Sequence, residues 1–203
     1  MLYNITMKDK YIPLTKSMMD THKNHLYPYL FSIYYLQESE THYLDKQGAA
    51  VKIWLNKNNR GAAQKASGMS RQSFAPYAAP DIVLCQGEFV CMMPAQVWED
   101  WVRFLEQQDK RSWNSWTKLF CYVYFNCSKH TGCTFTHSRD QFEKELGMQP
   151  ASISSKLIAL EQAGFIRRTN YNADQGIARA YLLCEKHWPE YRILEHQKLS
   201  TKS

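Results

Sequence analysis

No run of this chain is long and apolar enough to span a bilayer, so no membrane-crossing helix is expected. The first residues, with Asn4, Lys8, Asp9 and Lys10, lack the apolar centre of a signal peptide, and a cytoplasmic address is the expectation. Cys85, Cys91, Cys121, Cys127, Cys133 and Cys184 include no C-x-x-C pair and lie among apolar neighbours, which favours buried, reduced thiols. Catalytic signatures are also missing. There is no phosphate loop, no nucleophile elbow, no His-Glu-x-x-His and no carboxylate cluster suited to a two-metal nuclease. Asp140, Glu143 and Glu145 lie together, but at the start of an amphipathic segment they read as solvated residues that favour the helix dipole. The chain is therefore expected not to be an enzyme and to carry no cofactor. Its 14% aromatic content excludes a disordered regulator.

What is present is concentrated between Thr134 and Leu183, where the order reads strand, helix, tight turn, helix, hairpin. Ser138 and Gln141 have capping-box spacing, and Phe142 and Leu146 share one face of the helix they announce. Gly147 ends it, because glycine tolerates the left-handed conformation that a stop requires. Pro150 suits the first turn of the next helix, whose buried stripe is Ile153, Leu157 and Leu160. Gly164 closes that helix before Phe165 and Ile166. The opposite face is read as Gln149, Ala151, Ser152, Ser155 and Lys156, small and polar residues that could approach base edges and phosphates closely. Arg167, Arg168 and Arg179 flank a hairpin with its turn at Asn172 to Gly176.

This run resembles the winged-helix DNA-binding domain. The residues that carry the likeness are Ser138 to Phe142, Glu145 to Met148, Ile153 to Leu157, Leu160 to Arg168 and the hairpin after them. It is similar to MarR-like regulators and to the winged-helix replication initiators of plasmids and phages, from about Phe89 or Trp113 to Cys184. The resemblance implies a helix at 150–163 reading the major groove and a wing at 167–181 on the backbone. Pro150 and Ala151 depart from it, because polar side chains often stand at those positions.

Charge is distributed unevenly over the rest. Lys46, Lys52, Lys57, Arg60, Lys65 and Arg71 fall in a stretch with no acid before Asp81, and these six cations equal the net charge of +6. The stretch is either a phosphate-binding segment or a loosely ordered linker rich in Gly, Ala, Ser and Asn. It also echoes the later motif. Arg60, Lys65, Gly68 and Met69 repeat the spacing of Arg139, Lys144, Gly147 and Met148, which suggests a degenerate second helix-turn-helix with Arg71 and Gln72 as DNA base readers. Pro76 and Pro80 cut its second helix short.

Elsewhere, residues 14–38 read as a helix interrupted near Pro28, and Ile82 to Cys85 and Phe89 to Met92 as strands joined at Gln86-Gly87. Pro94 leads into a helix with Val97, Trp98, Trp101, Val102 and Leu105 on one side, and a further helix is expected over 115–128. Trp188, Pro189, Tyr191, Ile193 and Leu194 suggest a short docked helix, followed by a mobile end at 198–203. Cys127, His130, Cys133 and His137 have zinc-type donors, but they lack two separated knuckles and are read as packing and surface residues, so no metal is expected.

These observations predict a mainly α fold with a small β-hairpin (α+β), a winged helix-turn-helix with additional N-terminal helices. The expected domains are 1–93, with the basic segment 46–80, then a winged helix with a preceding helix at 94–187, then a tail at 188–203. The expected activity is sequence-specific binding of double-stranded DNA by a transcriptional regulator, a homodimer with no membrane partner. The alternatives are a plasmid or phage replication initiator that binds origin repeats and engages replication machinery, and a scaffold that uses the winged helix against protein.

Overall fold

The computed structural model describes residues 3–6, 10–37, 41–45, 48–80, 82–86, 88–130, 133–169, 179–187 and 191–193. The fold is α+β, with helices and three small antiparallel sheets among these residues. The chain packs as two units, residues 1–103 with 190–203 and residues 104–189. The division falls at residues 103 and 104, inside a helix, and Tyr191–Ile193 belongs to the first unit. Among the described residues, no helix is long and apolar enough to cross a membrane.

In the first unit, β1 (Tyr3–Thr6) and β2 (Tyr11–Leu14) precede α1 (Lys16–Thr21) and α2 (Leu26–Leu36). Thr15 caps α1 by accepting from the Met18 amide at 3.1 Å, so Leu14 belongs to a strand and not to a helix. The helix break falls at residues 22–25 instead of at Pro28, which sits in the first turn of α2, where its missing N–H has no intrahelical acceptor to lose. Nine of the eleven α2 residues are buried, as expected of a helix apolar on most sides.

β3 (Thr41–Asp45) and β4 (Gly48–Trp54) lead to α3 (Arg60–Ala66) and α4 (Arg71–Phe74). The linker alternative for this stretch is overturned, because β4 is paired on both sides and the two helices follow it. Lys46 lies outside the described residues. Gly68, at φ 67°, turns the chain between α3 and α4, and Ser70 caps α4. The echo of the later motif therefore extends to its turn, while α4 stops after four residues, ahead of Pro76.

β5 (Ile82–Gln86), β6 (Val90–Pro94) and α5 (Ala95–Leu105) complete this part. The two strands exist, but they join different sheets, ordered β1-β3-β4-β5 and, for β6, between β2 and the strand Tyr191–Ile193. Their burial patterns explain the split. Val90 to Met93 are all buried, which suits a central strand, whereas exposed Ile82 and Leu84 alternate with buried Val83 and Cys85 on an edge. Gly87, within the expected turn, lies outside the described residues. α5 buries Val97, Trp98, Trp101 and Leu105. Tyr191–Ile193 pairs antiparallel with β6, so a strand stands where a short helix was expected. Trp188, Pro189 and residues 194–203 lie outside the described residues.

In the second unit, α6 (Trp113–Ser128) is followed by β7 (Thr134–Thr136), α7 (Arg139–Leu146), α8 (Pro150–Gln162), β8 (Ile166–Arg168) and β9 (Ala180–Leu183). The sheet is ordered β7-β9-β8, with Phe135 opposite Tyr181 and Arg168 opposite Tyr181 on the other side. Phe142 of α7 is fully buried between Tyr122, Phe135, His137 and Tyr181. A second aromatic group, Phe104, Trp116, Phe120 and Phe165, packs edge to face at 5.2–5.7 Å. The strand Tyr191–Ile193 of the first unit is β10.

Candidate nucleic-acid interface

Local chemistry fixes the turn between α7 and α8. The Ser138 side chain accepts from the Gln141 amide at 3.2 Å, and the Gln141 side chain accepts from the Ser138 amide at 2.7 Å, completing the capping box. Gly147, at φ 60°, stops α7 and donates its N–H to the Glu143 carbonyl. The Lys118 ammonium, reaching from α6, donates to the Leu146 carbonyl and favours the negative end of the α7 dipole. Pro150 then opens α8.

α8 buries Ile153, Lys156, Leu157 and Leu160, and exposes Ala151, Ser155, Ile158 and Gln162 in one row at steps of three and four. Gln149 is exposed at the N-cap and makes no side-chain cap hydrogen bond. Ser152 is half-buried, and its carbonyl accepts from the Ser155 hydroxyl at 3.0 Å. Four of the five expected face residues are thus accessible on or beside one side of a helix roughly 20 Å long, the length following from about 1.5 Å per residue.

Lys156 is the correction. It does not lie on the open face. It is only 8% exposed, with its ammonium 3.8 Å from the centre of the Trp116 ring on α6. Its spacing already pointed this way, because residue 156 is three after Ile153 and four before Leu160 and so falls on the buried stripe. Desolvation holds its pKa below the ordinary 10.5. A methionine would keep the stem and the contact with the indole without burying a charge. Lys156→Met is expected to leave stability unchanged or raise it by up to about 1 kcal/mol. The sign with pH follows from proton uptake. Just below pH 10.5 the unfolded lysine binds more proton than the folded one, so the wild type should gain stability relative to the variant as pH rises through that window. Urea midpoints of the two proteins across alkaline pH check both statements.

The hairpin residues also divide. Arg167 is exposed on β8. Arg168 is turned to Glu161 of α8, which accepts from the Arg168 amide at 2.9 Å, from Nε at 2.7 Å and from the guanidinium at 2.5 Å. Its assignment to phosphate is therefore corrected to a tie between α8 and β8. Partial burial alone would raise the Glu161 pKa, but the hydrogen bonds from Arg168 and the charges of Arg168 and Arg179 hold it below the ordinary value. Arg179, half-buried just before β9, adds positive charge on that side. The expected turn at residues 172–176 lies outside the described residues, as does the side chain of Arg139.

The four residues with zinc-type donors have other partners or positions. Buried Cys127 donates to the Tyr181 carbonyl at 3.5 Å, and Cys133 is buried. His137 shares a 3.0 Å hydrogen bond with the Tyr122 hydroxyl, and its pKa is lowered chiefly by burial. His130 is exposed, and the adjoining Thr131-Gly132 turn lies outside the described residues. No group of three or more metal-type ligands assembles among the described residues.

Arg71 and Gln72 are exposed on α4, in the other unit. The exposed Ile158 belongs to neither the expected polar face nor the expected buried stripe, although helical spacing makes it a neighbour of 151 and 155. No family model, curated protein or solved structure matches the chain.

Proposed function

We propose that residues 104–189 form a winged helix that binds double-stranded DNA sequence-specifically, with α8 in the major groove and the β8–β9 hairpin along the backbone. The observation that carries this is the exposed side of α8. Gln149, Ala151, Ser152 and Ser155 are small or hydrogen-bonding, and the opposite side is locked into the unit's own core. Ile158, 42% exposed, supplies an apolar surface for a thymine methyl group. Arg167 is the exposed cation of the adjoining strand, suited to a phosphate. The chain would act as a cytoplasmic transcriptional regulator, working as a homodimer on a palindrome.

Selection from a pool of random duplexes tests this. A salt-sensitive complex with a recurrent motif is the expected result, and Arg167→Ala should weaken binding to all sequences alike while reducing the salt slope by about one. A palindromic motif fits the regulator, whereas an array of direct repeats would point to a replication initiator. The absence of any salt-sensitive affinity ends the proposal and leaves the protein scaffold.

A further inference from the structure

We propose that the face formed by α3, the Gly68 turn and α4 is a second, sequence-indifferent docking surface for the sugar-phosphate backbone of duplex DNA. It is independent of the role given to α8. The first observation is charge. Neither residues 48–80 nor residues 21–37, which include the α2 helix packed beneath α3 and α4, contain an aspartate or glutamate. Lys57, Lys65 and Arg71 are all exposed here. Glu99 of α5 lines a hollow with Ala66 and accepts a hydrogen bond from the Tyr34 hydroxyl at 2.8 Å, and Asp81, next in the chain, lies outside the described residues. A stretch that carries exposed cations and no carboxylate of its own over residues 48–80 complements a polyanion.

The second observation is relief. Buried Ala63, Ser67 and Phe74 hold the helices down, with the Phe74 ring edge-on to Phe31 and the Ser67 carbonyl accepting from the Tyr27 hydroxyl. The exposed residues between and just after the cations include Gly61, Ala62, Ala66, Ser70, Gln72 and Ser73. Even a Cβ added at Gly61 would meet nothing within 4 Å. Backbone phosphates can therefore come close to the helix surface, where Gln72 presents an exposed amide, while the Ser70 and Ser73 hydroxyls bond each other at 2.9 Å.

The same residues argue against two other occupants. A helix lying on a membrane surface buries large apolar side chains, and here Phe74, the one large apolar residue of α4, faces inward. Base reading needs a helix that follows a groove, and four residues of α4 span only about 6 Å. Arg71 and Gln72 are thus assigned to the backbone and not to bases.

The test uses the full chain, a labelled duplex of random sequence and the triple variant Lys57→Gln, Lys65→Gln, Arg71→Gln. All three positions are exposed, so melting should match the wild type. The slope of log affinity against log salt should fall by two to three, at about 0.9 for each lost phosphate contact, while any sequence preference persists. If selection yields no motif but the triple variant still loses that slope, the α8 proposal fails and this one stands. An unchanged slope, or a wild type that does not bind the random duplex at low salt, overturns it. So does a variant that keeps its DNA affinity and instead loses binding to phosphatidylserine vesicles.

Discussion

Replacing Phe142 with alanine is expected to destabilise residues 104–189 by about 3–5 kcal/mol, a large share of the roughly 5–15 kcal/mol that holds a typical domain folded. The ring is fully buried, and four aromatic neighbours, Tyr122 of α6, Phe135 of β7, His137 just after it and Tyr181 of β9, meet it at centroid distances of 4.8–6.0 Å. Those neighbours come from separate parts of the unit and cannot all close inward, so the cavity stays open and its cost is added to the lost transfer energy. Phe142→Leu leaves a smaller void and should cost roughly 1–2 kcal/mol. Hydrogen exchange on the full chain localises the effect. Amides of α6, α7 and β9 should lose protection in the alanine variant, while those of α2 keep theirs, because α2 belongs to the other unit. Unaltered protection in α7 and β9 would show that this cluster does not hold the second unit together.

Local chemistry made much of the second unit legible. Ser138 with Gln141, Gly147, and Pro150 act within a few residues of one another, and the capping box, the left-handed stop and the helix start all stand where their spacing placed them. What failed was partner assignment over distance. Lys156 and Arg168 are cations and so suggest DNA contacts; helical spacing marks Lys156 as buried, but its partner Trp116 lies forty residues earlier, and the Glu161 that holds Arg168 stands seven residues before it on another element. The first unit hid more for the same reason. β5 and β6 are recognisable as strands, but their pairing with β4 and β2 depends on segments far away in the chain. Pro28 illustrates a local signal with two meanings, since proline both interrupts helices and opens them. On the candidate face, Gln149, Ala151, Ser152 and Ser155 could be read from the sequence because helical spacing alone separates them from the buried stripe.

Placing a carboxylate at the centre of that face, Ser155→Glu, is expected to weaken duplex binding about 100-fold or more without unfolding the protein. Ser155 is exposed, and its hydroxyl bonds only the Ser152 carbonyl one turn back, so nothing in the core depends on it. Glutamate is at least as good a helix former as serine, and an exposed change of this kind usually moves stability by no more than about 0.5 kcal/mol. In a complex the new charge would sit between two rows of phosphates with water largely expelled. Like charges brought together in an interface cost several kcal/mol, and 100-fold corresponds to about 2.7 kcal/mol. The loss should be greatest at low salt, where screening is weakest. Ser155→Ala removes the hydroxyl without adding charge and should change affinity less than tenfold, chiefly by altering which sequences are preferred. Fluorescence anisotropy with a selected duplex, run beside thermal melts of all three proteins, separates the effects. Equal affinities for wild type and Ser155→Glu, with melts unchanged, would mean that this side of α8 never meets DNA.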